Sequence, residues 1–221
     1  YYTQARLILN LGEVREGERV VLNGLPWQVR SLNMVAGLVN PSLRHGVLRV
    51  PTADLTKLSS RPVEQGDLWF PCREEDWVLL ADGTFGKVVM ITSEFVQVVQ
   101  LGGAHRTYAT NAFIAQNPVN YAGGFRVTAI VKVHPDHRKL ATKEIPEALR
   151  ESVHGGLLTL VDPPQVKNLR VGFRAVIPNA MEFDIPAGFA GEGGEKLPTL
   201  QHALQHYALA ACNEQGWRLG A

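Results

Sequence analysis

The chain says the same thing twice. The stretch Arg15–Val29 carries the run Arg-Glu-Gly-Glu-Arg-Val-Val-Leu-Asn-Gly-Leu-Pro-Trp-Gln-Val, and it returns about 58 residues later as Arg73–Val88, with Trp77-Val78-Leu79-Leu80 for the apolar run and Asp82-Gly83 for Asn23-Gly24. Such repetition predicts two similar small β modules in tandem. A module this short has a marginal core, so stacking on its twin, or packing against copies in other subunits, would help its stability.

Each copy reads as strand, turn, strand. Asn-Gly or Asp-Gly between apolar runs is the strongest local hairpin signal, and Gly24 and Gly83 meet the demand for positive φ. Each copy then adds an extended run, 47–52 in the first and 106–111 in the second. Both close on a proline step, Ser60-Arg61-Pro62-Val63 or Gln116-Asn117-Pro118-Val119. About five short strands per copy predict small Sm-like β-barrels over 15–66 and 67–122.

The pattern changes at about residue 123. Phe125, Val127, Ala129, Val131 and Val133 alternate with Arg126, Thr128 and Lys132, the signature of a half-buried strand. Pro135-Asp136 opens a helical stretch with Leu140, Ile145, Leu149 and Val153 on one stripe; Pro146 breaks, kinks or restarts it, and Gly155-Gly156 ends it. Leu157 to Val161 reads as a short strand before Asp162-Pro163-Pro164. A long strand over 168–177 follows, with Leu169, Val171, Phe173, Ala175 and Ile177 against Asn168, Arg170 and Arg174. After a glycine-rich loop from Gly188 to Gly194, a second helix over about 199–215 buries Leu200, Leu204, Tyr207, Ala208 and Ala211, and Gly216 terminates it. Strand, helix, strand, strand, helix over 123–221 predicts a ferredoxin-like sandwich, and the chain as a whole is predicted to be α+β.

Charge narrows the function classes. Lys plus Arg number 22 against 21 Asp plus Glu, so the basic stripe of a protein making ~6–10 phosphate contacts is missing. An apolar share of 45% excludes extended disorder. No run reaches the ~20 apolar residues that cross a bilayer. Cys72 and Cys212 lack the spacing of a zinc or redox pair and read as buried small hydrophobes, with one disulfide between them left open.

The candidate chemistry resolves into bland roles. His202 and His206 share a helix face, but no Glu follows His202 to make a metalloprotease motif, so they read as solvated. His134-Pro135-Asp136-His137 sits at a strand-to-helix junction and reads as capping and turn chemistry. The run from Gly191 to Lys196 lacks the spacing and hydroxyl of a phosphate cradle and reads as a mobile loop. With no nucleophile elbow and no placed pair of carboxylates, the prediction is no catalytic residue, no cofactor and no metal. Trp27, Trp77 and Phe85 could stack single-stranded bases. Their place beside the hairpin turns favours core packing.

The second copy, running into the third segment, resembles the soluble region of the small-conductance mechanosensitive channel family. The likeness is carried by Trp77-Val78-Leu79-Leu80, Gly83, Gly86-Lys87-Val88, Thr110-Asn111 in place of that family's Pro-Asn, and Pro118-Val119-Asn120-Tyr121, followed by the strand from Phe125 and the Pro135-Asp136 helix start. The first copy carries a comparable pattern in Glu16-Gly17-Glu18-Arg19-Val20, Gly24, Val29, Val50-Pro51 and Ser60-Arg61-Pro62. The motifs are loose one by one and gain weight from their order over residues 13 to 221.

The resemblance implies the soluble cage of a tension-gated ion channel at the cell membrane, on its cytoplasmic side. Subunits of that family form a ring, usually a heptamer, around a vestibule through which ions pass; no nucleic acid is involved. It implies that Tyr1 to Val14 follow a missing membrane helix, an expectation strengthened by a start at Tyr1 with no leader, and that Arg15, Glu16, Glu18 and Arg19 link the pore to the cage. Asn23, Gly24, Asp82 and Gly83 are expected to form the turns. Three features depart from the family: the doubled β module, Thr110, and a chain that stops at Ala221 without the closing proline-containing strand. The alternative from another class is a cytosolic tandem-barrel module binding nucleic acid, since Val20 to Arg30 resembles the pattern of ribosome-associated barrels.

Overall fold

The structure is a computed structural model that describes residues 5–7, 9, 12–162 and 165–220. The expected segment from Tyr1 to Val14 lies in good part outside them, as do Pro163 and Pro164. The fold is α+β with three antiparallel sheets, and the chain divides into two units, Tyr1–Asn120 and Tyr121–Ala221.

Both repeats lie in the first unit. The first is β1 (Arg19–Leu22), β2 (Leu25–Leu32), β3 (Val35–Val39), β4 (Val47–Pro51), a 3-10 turn (Thr52–Leu55) and β5 (Ser60–Arg61), in the order β4-β3-β2-β1-β5. The second is β6 (Trp77–Leu79), β7 (Phe85–Ile91), β8 (Phe95–Gln100), β9 (His105–Ala109), α1 (Thr110–Ala115) and β10 (Val119–Asn120), in the same topological order read from β9 to β10. Neither sheet closes on itself: β4 and β5 do not pair, nor do β9 and β10, because the last strand of each spans only two residues.

The register shows how deep the duplication runs. Val29 donates its N–H to Glu18 and accepts from Gly17; Val88 does the same with Asp76 and Glu75. Gly17 and Glu75 both sit at positive φ, +81° and +76°. The Glu16 carboxylate accepts the Leu32 N–H and the Glu74 carboxylate the Ile91 N–H, each just beyond a β-bulge, after Val29 in one copy and after Val88 in the other. Thr52 and Thr110, both buried, donate their hydroxyls to the backbone of the preceding hairpin turn, at Asn33 and Thr92.

This register corrects one pairing read from the sequence, that of the proline steps. Pro62 follows β5 whereas Pro118 precedes β10, because Ser60 pairs with Val20 as Asn120 pairs with Val78. The prolines are therefore not equivalent. The same register sets Trp27 against Gly86, since Val20 faces Trp27 where Val78 faces Gly86. The inner faces of both copies enter one hydrophobic cluster, Trp27, Leu32, Leu38 and Leu55 joining Val88, Ile91, Val98 and Phe113.

In the second unit, β11 (Phe125–Val133) alternates buried and exposed along its whole length, as its sequence demands. A 3-10 turn (Pro135–Leu140) precedes α2 (Glu144–Leu157), in whose first turn Pro146 forfeits no helical hydrogen bond, so this proline restarts the helix. Gly155-Gly156 does not end α2. Gly156 lies inside it with the Tyr207 ring so close that an added Cβ would meet it at 2.3 Å. The expected strand over 157–161 is the last turn of that helix and the bend after it.

The expected long strand is two, β12 (Val166–Leu169) and β13 (Gly172–Ile177), and both pair with β14 (Ala180–Phe189), a ten-residue central strand not read from the sequence. Pro186 argues against a central strand because it donates no ladder hydrogen bond. Its carbonyl accepts from Arg170, so its nitrogen faces that same side, at the gap where β12 stops and β13 begins. The ladder is broken where the donor is missing. A 3-10 turn (Gly191–Lys196) leads to α3 (Leu197–Glu214), which Gly216 at φ +66° ends. Helices α2 and α3 cover one face of the sheet, packing Ile145, Leu149, Leu200 and Leu204 on Val127, Val131, Phe183 and Ile185.

Candidate functional site

The charged segment after Val14 enters the first repeat, and its hydrogen bonds serve that repeat. Glu16 holds the Leu32 N–H at 2.6 Å, the Ser60 hydroxyl donates to Glu18, and Ser60 accepts the Arg15 N–H at 2.9 Å. Arg19 donates to Asp67 Oδ1 at 2.9 Å and to the Leu68 carbonyl at 3.0 Å, with its guanidinium 5.3 Å from the Trp69 ring. Arg61 clamps the same carboxylate. Asp67 is held well below the ordinary carboxylate range, first by the Arg61 hydrogen bonds and then by the Glu64 N–H. The segment is thereby stitched to β2, to β5 and to the strand-free stretch that leads into the second repeat. Its link to Asp67 was not legible in the sequence, where the partners lie 48 residues apart.

The turn residues differ between copies. Asn23 and Gly24 occupy positive φ, 52° and 78°, as a two-residue turn with matched twist requires. The second turn is one residue longer: the Leu80 carbonyl accepts from Gly83, and Gly83 alone is left-handed, at 83°. Asp82 keeps ordinary φ and accepts the Thr84 N–H at 2.9 Å. Tyr108 donates to Asp82 at 2.9 Å and Arg106 lies 3.4 Å from it, so this turn is braced by a polar net on β9. The Thr84 N–H is the first cause holding the Asp82 carboxyl below its usual value.

One joint between the copies stands out. Asn40, 1% exposed, donates to the carbonyls of Pro26 and Trp69, both at 2.9 Å, and its Oδ1 accepts from Ser42. The loop it pins carries Arg44, whose N–H bonds the Ile91 carbonyl at 2.7 Å and whose guanidinium grips Glu74 at 2.7 and 3.1 Å. A buried polar side chain that meets all its bonds fixes a geometry. This one ties the first copy to the second.

The remaining candidates have structural surroundings. Trp27 is 2% exposed and Trp77 stacks on Phe85 at 5.2 Å, so neither offers a free face to a base. Cys72 and Cys212 are buried and unbridged, and burial pushes the Cys72 thiol up to about 12. His202 and His206 lie on the exposed side of α3. Among the described residues no three His, Cys, Asp or Glu side chains gather as metal ligands, and no helix is long and apolar enough to cross a membrane.

The fold is similar to that of solved mechanosensitive channels. It overlays on MSL1 of Arabidopsis thaliana with a TM-score of 0.50 at 16% identity, over 68% of this chain and 52% of that one. MscS of Helicobacter pylori in its closed state gives 0.49 at 14% identity, over 68% and 56%. Both are channels of the small-conductance mechanosensitive family, the family that the order of sequence motifs resembles. At 16% identity the overlay on MSL1 shows a shared fold alone, and the chain spans about half the length of the solved chains it matches. No family model matches the sequence, and no curated protein does.

Proposed function

We propose that this chain is the soluble cage of a tension-gated ion channel, assembling as a homo-oligomeric ring on the cytoplasmic side of a membrane that other segments of the polypeptide cross. The observation that carries this reading is the overlay on MSL1 at a TM-score of 0.50, in a chain whose motifs independently follow that family's order. In this reading the two repeats, 15–66 and 67–122, act as Sm-like modules stacked along the ring axis, 123–221 is a ferredoxin-like layer, the chain does no catalysis, and ions are its permeant species. Opening is a shift of population: tension favours the conformation of larger membrane area, and contacts in the ring bias the equilibrium.

Arg15, Glu16, Glu18 and Arg19 form the link to the pore. Their hydrogen bonds into β2, β5 and Asp67 support this, because a lever must be stiffly joined to what it moves. Patch recordings on the polypeptide that carries this chain test it. Replacing the four by neutral isosteres is expected to shift the tension threshold; an unchanged threshold refutes the link, and the absence of any tension-gated current refutes the channel. Salt-sensitive retention on a nucleic-acid column would instead support the tandem-barrel binder.

A further inference from the structure

We propose that the segment from Trp217 to Gly220 is a pH-sensitive latch on the second unit, docked on the end of β11 at neutral pH and loosened when His137 takes a proton. Strand β11 pairs with β14 along one edge; on its other edge the partner among the described residues is this segment, with Leu219 bridged to Val133 and the Gly220 N–H on the Lys132 carbonyl at 3.0 Å. The dock also seats Trp217, 8% exposed, whose N–H bonds the Cys212 carbonyl at the end of α3.

Arg218 is where the dock meets titratable groups. Its N–H donates to His137 Nε2 at 3.1 Å, which requires that nitrogen to be unprotonated. A proton there abolishes the acceptor and sets a cation against the Arg218 N–H dipole. A second arm runs through Asp136, whose Oδ2 lies 3.5 Å from Arg218 Nη1 and 3.0 Å from His134 Nδ1. Neutral His134 uses that Nδ1 to accept the Asp136 N–H; protonated, it donates to the Asp136 carboxylate and competes with Arg218. Acid therefore loosens both arms in the same direction. The contacts left intact are three backbone bonds, from the His134 N–H to the Arg218 carbonyl at 2.8 Å, from the Gly220 N–H to the Lys132 carbonyl and from the Trp217 N–H to the Cys212 carbonyl, so the segment loosens around Arg218 first. The other charges nearby, Lys132 on β11, Arg138 and Lys139 on the turn, and Glu214 at the end of α3, are exposed to solvent. Loosening exposes backbone groups at the end of a nine-residue edge strand.

The test is amide hydrogen exchange at Arg218 and Gly220, read by NMR at about pH 7.5 and about pH 5.5, either side of the ordinary imidazole range. After correction for intrinsic rates, protection in the native chain is expected to fall about tenfold on acidification, the loss of one good hydrogen bond. His137→Gln offers a neutral oxygen that cannot titrate and is expected to keep its protection at both values. Arg218→Ala removes the Asp136 arm but retains the backbone N–H, so its residual protection must still fall in acid. Equal protection of the native chain at both pH values overturns the latch. So does an acid loss in His137→Gln as large as in the native chain, and, should that variant fail to fold, an Arg218→Ala chain indifferent to pH.

Discussion

The two repeats share a hydrogen-bonded frame and differ in what fills it. Glu16 and Glu74, Gly17 and Glu75, Thr52 and Thr110 do the same work at equivalent points. The packing has diverged: Trp27 fills the first copy where the second has Gly86, whose added Cβ would lie 2.6 Å from the Val99 carbonyl oxygen. Loops have diverged further. The first copy's loop from Asn40 to Gly46 reaches Ile91 and Glu74, whereas its counterpart from Gln100 to Ala104 ends in exposed glycines. A duplicated β frame is kept by backbone geometry, and the asymmetry needed to join two copies is put into side chains and one loop.

The comparison breaks most readily at the core. Trp27→Ala is expected to cost about 3–5 kcal/mol, and the equivalent Gly86→Ala about 1–3 kcal/mol by overpacking. Both are measured by urea denaturation of the chain, with exchange reporting on the first unit. Since the two copies share one cluster, either change should lower the protection of both; loss confined to one copy would show two independent cores. At the joint, Asn40→Ala is expected to cost about 2–3 kcal/mol because it strands buried carbonyls. Gln100→Ala should stay within about 0.5 kcal/mol. Equal costs at these positions would mean that the loop does not unite the copies.

The two threonines sharpen the shared part of the frame. Thr52→Val and Thr110→Val should each cost about 1 kcal/mol in the same assay, and a marked inequality would disprove functional equivalence. The smallest effect concerns Glu74. Hydrogen bonding from Arg44 lowers its pKa in the folded chain, so the stabilisation is full above the ordinary value of 4.5 and is lost as the pH falls below it. Glu74→Gln should flatten that part of the acid-stability curve by lowering neutral stability slightly, and leave stability at low pH little changed. An unaltered curve would show that the Arg44 clamp contributes nothing measurable.

The legible parts were those with local causes. The Asn23-Gly24 turn, the alternation along β11, the stripe of α3 and its stop at Gly216 all follow from residues within a turn or two of one another. β14 was hidden because Pro186 contradicts its neighbours, and only a break in the partner strand makes that proline acceptable. Gly155-Gly156 resembled a helix stop because the Tyr207 ring that packs on Gly156 arrives from a helix about fifty residues away. In the candidate link, the carboxylates and arginines were visible in the sequence and their partners Leu32, Ser60 and Asp67 were not.

Period, turn chemistry and the doubled pattern already prescribe two five-stranded copies and a helix-covered sheet, since φ preferences and alternating burial act over a few residues. Which strand lies at the centre of the last sheet, that Trp27 answers to Gly86, and that Asn40 binds the copies into one core were settled by contacts between distant parts of the chain. Such contacts depend on where volume and unpaired carbonyls end up in space, and linear order does not record that.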